Sequence, residues 1–307
     1  NIDLVRYAGW LLQEWQRGKN RVALSRSDLH RVEEARRNRA KRESIRNIGV
    51  IPRIADITRR EACRRDLARF LMTYTPENKD PFSADHVRVI KRIENAIFHG
   101  GRFVEAVYRG FGKSTISRVT TVWAILYGHK SFVPLVGCNA LRAEENLDAI
   151  KGIFESERLA DDFPDVCQPI RELEGITQRC HGQRYEMSSG VVKPTHLEWG
   201  ADMLCLPMTD GAYDADGNWH DNLARGAVIL ACGITSSKLR GMNRRRADGI
   251  ELRPDFVLID DPQDEESAAS VQQVNKRLNI IRKAIIHSSD HKDTRSVVMP
   301  CTVIQKD

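Results

Sequence analysis

One stretch constrains this chain more than any other: Arg109-Gly110-Phe111-Gly112-Lys113-Ser114-Thr115. A β-prone run, Phe103 to Tyr108, leads into it, and a helix-compatible stretch, Lys113 to Tyr127, leaves it. Strand, glycine-bearing turn, Lys-Ser/Thr and helix is the order a phosphate cradle needs. Glycines let backbone N–H groups turn inward around an anion, and the new helix presents its positive N-terminal end. Lys113 would reach β- and γ-phosphates, and the Ser114 hydroxyl would complete a Mg²⁺ shell. The usual pattern is G-x-x-x-x-G-K-[ST], and its first glycine position is Val107 here. As a bare pattern the stretch also fits an ordinary strand-to-helix turn, so it needs a second, matching site.

That second site is Phe256-Val257-Leu258-Ile259 followed by Asp260-Asp261. Four apolar residues predict a central buried strand. A carboxylate at the C-terminal end of such a strand lies near the phosphate loop of a parallel sheet. Asp260 is then the candidate Mg²⁺ ligand, directly or through water. Asp261 is the nearest group able to orient or deprotonate an attacking water. Should Asp261 point away, Glu265 is the next choice, although Asp264, Glu265 and Glu266 also suit a helix start. Thr294 to Met299 is another apolar strand, ending in Pro300-Cys301-Thr302. The Thr302 hydroxyl can sense the γ-phosphate, or simply hydrogen-bond the turn. The two segments together predict an ATP- and Mg²⁺-binding core.

The remaining chain reads as α/β. Strand–helix–strand–helix over the loop unit and over Ser131–Gly137 and Asn139–Phe154 predicts a mainly parallel sheet covered by helices on both faces. Ala227 to Cys232 returns as a core strand, and residues 158–225 between read as a β-hairpin-rich excursion. Asp210-Gly211 and Asp214–Gly217 look like turns, with calcium ligation the secondary reading. Ser236 to Arg246 is a basic loop, either solvated or facing DNA or phosphate.

A helical N-terminal segment precedes this core. Residues 1–20 carry an apolar stripe, a charge-rich helix begins at Ser27-Asp28, and a third spans Thr58–Thr73 with its arginines on the solvent side. Tyr74 to Ser83 is turn-rich, which sets the boundary at 80: a basic segment 1–80 and a core 81–307. Residues 1–80 hold 19 Lys+Arg against 11 Asp+Glu, whereas the rest holds 29 against 31. The basic character therefore belongs to the segment rather than the core, and its arginines suit a wet face or contact with DNA or a partner. The seven cysteines are scattered without a C-x-x-C pair, which favours reduced, mostly buried thiols over a zinc site. No apolar run is long enough to span a membrane. The chain starts at Asn1 and stops at Asp307 without an obvious finish, and reads as part of something longer.

At these residues the chain resembles the N-terminal ATPase half of a viral terminase large subunit, the DNA-packaging motor of tailed phages. The resemblance runs over about residues 60–307. It rests on Tyr108 to Thr115, a loop with an internal arginine and no first glycine, and on Arg253 to Gln263 around the paired aspartates. Pro300 to Ile304 sits where the family has its coupling motif, with Cys301 in place of a more usual small residue. Phe82 and His86 lie where the family contacts adenine, where a glutamine is more usual. The family commonly has Glu where Asp261 stands.

The resemblance implies a P-loop NTPase fold of the RecA/ASCE type. It implies ATP hydrolysis coupled to moving double-stranded DNA into a procapsid by a homo-oligomeric ring, with the portal protein and the small terminase subunit as partners. The setting would be the cytoplasm of an infected host cell. Arg109 is then a candidate cis-acting arginine and Arg240 a trans-acting one from a neighbouring subunit. Gly110, Phe111, Gly112, Thr115 and Thr302 join Lys113 and Ser114 around the nucleotide. A C-terminal nuclease, usual in the family, has no counterpart in this segment. A helicase-like DNA-dependent ATPase is the alternative reading, and a scaffold with a vestigial loop the third.

Overall fold

The structure is a computed structural model that describes residues 30–37, 46–75, 81–239, 241–263, 265–286 and 295–302. The chain divides into two compact units, 1–47 and 48–307. Of the first, the structure describes residues 46–47, where the strand Asn47–Val50 begins, and a helix over 30–37, exposed along its length except at half-buried Val32. This agrees with the solvated helix expected after Ser27-Asp28; the expected helix over 1–20 lies outside the described residues.

In the second unit, α1 (Ile57–Cys63) and α2 (Leu67–Tyr74) replace the single helix expected over 58–73. Asp66 stops the run because its carboxylate accepts from the Arg69 N–H and caps a new helix. Asp56 does the same for α1; such caps are worth about 1 kcal/mol each. These helices do not belong with the basic segment, so the boundary falls after Asn47 rather than at 80. The reason is buried polar contact with the core. Asp162 takes two bonds from the Arg59 guanidinium, at 2.6 and 2.7 Å, and one from the Tyr74 hydroxyl at 2.6 Å. Trp123 Nε1 donates to the Cys63 carbonyl at 3.0 Å. Nor are all the arginines outside: Arg60 is buried, paired with Asp165 and lying over the Phe163 ring. With 36 basic and 36 acidic side chains, residues 48–307 are formally neutral, which confines the excess charge to 1–47.

After α3 (Ala84–His99), started by Ser83 and stopped at Gly100, the strands β1 (Gly101–Val107) and β2 (Phe132–Gly137) flank α4 (Lys113–Leu126). Then come α5 (Ala140–Phe154), α6 (Glu157–Asp162) and α7 (Pro164–Arg171). The last two correct the β-rich reading from 158 onward: Ser156 caps one and Pro164 opens the other, where its missing N–H costs nothing. Hairpins do follow, pairing Arg184–Glu186 with Val192–Pro194 and Gly211–Tyr213 with Trp219–Asp221.

The main sheet adds β3 (Glu198–Trp199), β4 (Met203–Cys205), β5 (Val228–Gly233), β6 (Phe256–Asp260) and β7 (Ser296–Thr302). Its seven strands run in the order β1-β7-β6-β2-β5-β4-β3. The first five are parallel and the last two antiparallel, so the sheet is mainly parallel as expected. Alternate residues serve two cores. Val133, Leu135, Phe256 and Leu258 face a large one shared with helices α2 to α7. Val136, Val257, Ile259 and Val297 face a smaller one closed by Leu239 and Ile281. Helix cover is thus heavy on one face and thin on the other, where α8 (Val271–Ile280) contributes Ile280 at the margin. Asp255 fixes the register that matters for the site. Its carboxylate accepts from the Ser131 N–H, the Ser131 hydroxyl and the Phe132 N–H at 2.7–2.9 Å, which seats β2 against β6 and brings Asp260 level with Gly137.

Candidate active site

The loop between β1 and α4 turns at two glycines with left-handed backbone, Gly110 (φ +90°) and Gly112 (φ +82°), where a Cβ would be strained. Between them Phe111 is buried and anchors the loop. Its ring stacks on His86 of α3 at 4.3 Å, and its carbonyl lies 2.9 Å from His86 Nε2. His86 Nδ1 accepts from the Ser83 N–H, so Nε2 carries the proton and donates to Phe111. His86 is therefore a brace beneath the loop, with Phe82 at 6.0 Å, ring to ring, beside it. No side chain caps α4, whose first turn begins at Lys113, Ser114 and Thr115. Arg109 is exposed.

Strand order decides what meets Lys113. β7 lies between β1 and β6, with Thr302 opposite Val107, so its tip stands between the loop and the paired aspartates. Lys113 Nζ donates to Thr302 Oγ1 at 2.6 Å and pairs with Asp261 Oδ2 at 3.0 Å. The Thr302 N–H donates to Asp261 Oδ1 at 2.8 Å, and its hydroxyl lies 3.3 Å from Oδ2. Asp261 has φ +40°, a conformation non-glycine residues seldom take, and its N–H reaches the Pro300 carbonyl at 3.3 Å. Strain of this kind persists where the surroundings over-determine it, and here Lys113 and Thr302 hold the carboxylate through three contacts.

Asp260, one residue earlier, points elsewhere. Its Oδ2 accepts from Asn146 Nδ2 of α5 at 3.1 Å, and Arg118 Nε of α4 donates to Asn146 Oδ1 at 2.8 Å. Asp260 Oδ1 is buried with no hydrogen-bond partner. Burial pushes this carboxyl above its ordinary range; the Asn146 bond opposes the shift, and the Asp261 charge adds to it. A buried carboxylate oxygen without a hydrogen-bond partner, close enough to the α4 start to feel the Lys113 charge, is a donor that fits a hydrated divalent cation.

The other candidates separate. Arg240 lies outside the described residues, as does the side chain of Glu265, of which the structure gives only the helical backbone over Glu265–Ala268. The basic loop is tied down by acids: Lys238 to Asp202, Arg244 to Glu198, and Arg246 to Asp248. The calcium idea has no support, since Asp214 accepts from Asn218 and His220 while Asp210 pairs with Lys193 and Arg225. Among the described residues no cluster of three His, Cys, Asp or Glu side chains could hold a metal. Five of the seven cysteines are buried, and Cys138 and Cys301 are half-buried. Sequence reading missed Asn146 and Arg118. The signal was present, because Asn146 interrupts the apolar stripe Ala143, Leu147, Ile150, Phe154 that α5 turns to the core.

No protein-family model matches the chain, and no curated protein matches it. Among solved structures, the large terminase ATPase domain of Thermus phage P74-26 is similar to 78% of this chain and 70% of that one, with 14% identity and a TM-score of 0.38.

Proposed function

We propose that this chain is an Mg-ATP-hydrolysing P-loop motor domain of the terminase large-subunit type. The observation that carries the reading is the meeting of Lys113, Thr302 and Asp261 at the uncapped start of α4, with Asp260 adjacent. Three segments far apart in sequence supply a cation, a hydroxyl and two carboxylates to one sheet edge, where α/β folds bind ligands.

In this reading the N–H groups of Gly110 to Ser114 and the Lys113 ammonium hold the phosphates. Ser114 and Asp260 would hold Mg²⁺, which neutralises phosphate charge when bound. Asp261 orients the attacking water and takes its proton, while the γ-phosphoryl group passes to that water and ADP leaves. Thr302 joins Lys113 to Asp261, so a change at either is felt at the end of β7. Arg109, exposed on the loop, is the arginine that would meet transition-state charge; an arginine there is worth about 10³–10⁵ in rate. Phe82 and His86 lie behind the loop, on the side proposed for the base.

The coupling of hydrolysis to movement of double-stranded DNA, the portal and small-subunit partners, the ring and the host-cell setting all rest on the sequence resemblance. Among the described residues no helix is long and apolar enough to cross a membrane. The test is phosphate release from Mg-ATP by the purified chain and by Lys113→Ala, with and without double-stranded DNA, over a range of protein concentration. Turnover lost in the variant and rising with concentration supports the assignment. Strand separation would point to the helicase-like alternative, and failure to bind Mg-ATP would overturn the reading.

A further inference from the structure

Asn146 is buried at the centre of α5, and both ends of its amide are engaged. An amide oxygen and nitrogen are hard to tell apart by shape, so their assignment has to come from the partners. Here the partners decide. Arg118 has only donors, so the atom facing its Nε at 2.8 Å must be the amide oxygen. The NH₂ group is therefore turned to Asp260, 3.1 Å from Oδ2. With Oδ2 engaged, the carboxylate cannot rotate freely, and Oδ1 is left buried and unpartnered. Such an oxygen is costly to bury and persists where something else satisfies it.

We propose that Asn146 is a positioning residue that aims Asp260 Oδ1 at a divalent cation, and that Arg118 sets the direction of the Asn146 amide. The inference rests on the ATPase reading above and adds to it a relay running from α4 through α5 to the end of β6. Arg118 lies one helical turn beyond Ser114, so the helix that supplies one proposed ligand also orients the other. Asn146 and Arg118 touch neither nucleotide nor metal in this scheme; they act through Asp260. Hydrogen-bond partners of metal-binding carboxylates typically change metal affinity by about 10–100-fold when removed.

The test uses Mn²⁺ as the metal and a non-hydrolysable ATP analogue, with free Mn²⁺ followed by electron paramagnetic resonance. Binding of the analogue without metal is measured in parallel by fluorescence. Asn146→Ala and Arg118→Met are expected to weaken Mn²⁺ binding by about 10–100-fold while metal-free analogue binding stays within about twofold. Arg118→Lys keeps a donor-only group and is expected to stay near wild type. Melting temperatures report whether each variant folds; should Asn146→Ala fail to fold, Arg118→Met against Arg118→Lys decides, because Arg118 is only half-buried. Wild-type Mn²⁺ affinity in a folded Asn146→Ala, or equal effects of Met and Lys at 118, would overturn the inference and leave the ATPase reading standing. A wild-type chain that binds no analogue at all would overturn both.

Discussion

Lys113 Nζ lies 3.0 Å from Asp261 Oδ2, so the lysine proposed to meet phosphate is paired with the acid proposed to activate water. Thr302 closes the arrangement, accepting from the lysine and donating its N–H to the same carboxylate. The three side chains form a self-satisfied set. On the proposed ATPase reading, a nucleotide would compete with Asp261 for Lys113 and release Asp261 toward the space where water would attack, which would link binding and activation through one ion pair.

Asp261→Ala is expected to separate those two roles. The pair is partly exposed, with side-chain exposures of 14% and 39%, so it is worth at most about 1 kcal/mol. Removing the acid should tighten ATP binding by up to about fivefold, because Lys113 no longer has to leave a partner. Turnover should fall by about 10²–10⁴-fold with the loss of the base. Titration with a fluorescent nucleotide and single-turnover phosphate release measure the two effects; weaker ATP binding would contradict the competition.

Thr302 can be examined without disturbing the strand. Thr302→Ser keeps the hydroxyl that accepts from Lys113, and Thr302→Ala keeps only the backbone bond to Asp261. The alanine variant is expected to lose about tenfold in turnover and about 1 kcal/mol of stability, the worth of one hydrogen bond. The serine variant should retain both. Equal turnover in the two variants would mean the hydroxyl only serves the turn.

Local chemistry made the loop and the paired aspartates legible. Gly110, Gly112 and Lys113 demand a backbone path that few contexts need, and Phe256 to Asp261 carries its own strand and its own acids. The helix start at Asn139 was readable for the same reason, because a cap acts over three residues. What could not be read depends on partners far along the chain. Arg60 looks like a solvent-facing arginine until Asp165 is placed beside it, 105 residues later. The apolar stripe through 58–73 hides the Asp66 break, since Leu67, Phe70 and Leu71 would suit one helix as well as two. Asn146 was visible as a polar residue in an apolar stripe, but its meaning required knowing that β6 ends beside α5.

The unit boundary has a direct consequence for truncation. A chain beginning at Ile48 should melt within a few degrees of the full chain, whereas one beginning at Pro81 should lose cooperative folding. The second removes Arg59 and Tyr74 from the fully buried Asp162 carboxylate and uncovers Cys63, Leu67 and Phe70. A finer test is Asp162→Ala in the full chain, expected to cost about 3 kcal/mol because it strands a buried hydroxyl and a guanidinium. That corresponds to a fall in Tm of about 6–12 °C for a chain of this size. Tyr74→Phe should cost only about 1 kcal/mol. Thermal melts followed by circular dichroism give all four values, and a Pro81 truncation as stable as the full chain would restore the boundary at 80.

His129 makes the pH dependence of stability specific. Its ring lies 4.9 Å from Phe98 and from Trp123, centroid to centroid, and its Nε2–H donates to the Arg64 carbonyl at 2.8 Å. Burial lowers this imidazole below its usual 6.5; the Arg64 carbonyl opposes the shift, while the charges of Arg64, Arg65 and Lys130 add to it. The folded chain therefore keeps His129 neutral where the unfolded chain binds a proton. With more protons on the unfolded side, stability falls as pH drops below about 6.5, and the fall ends only once the folded imidazole protonates. His129→Gln keeps an N–H donor for the Arg64 carbonyl and does not titrate. Its urea midpoint should decline less than that of the wild type between pH 7 and pH 5, the slopes differing by at most about 1.4 kcal/mol per pH unit. The remaining histidines are common to both proteins, so the difference isolates this ring; parallel curves would show that it protonates as readily folded as unfolded.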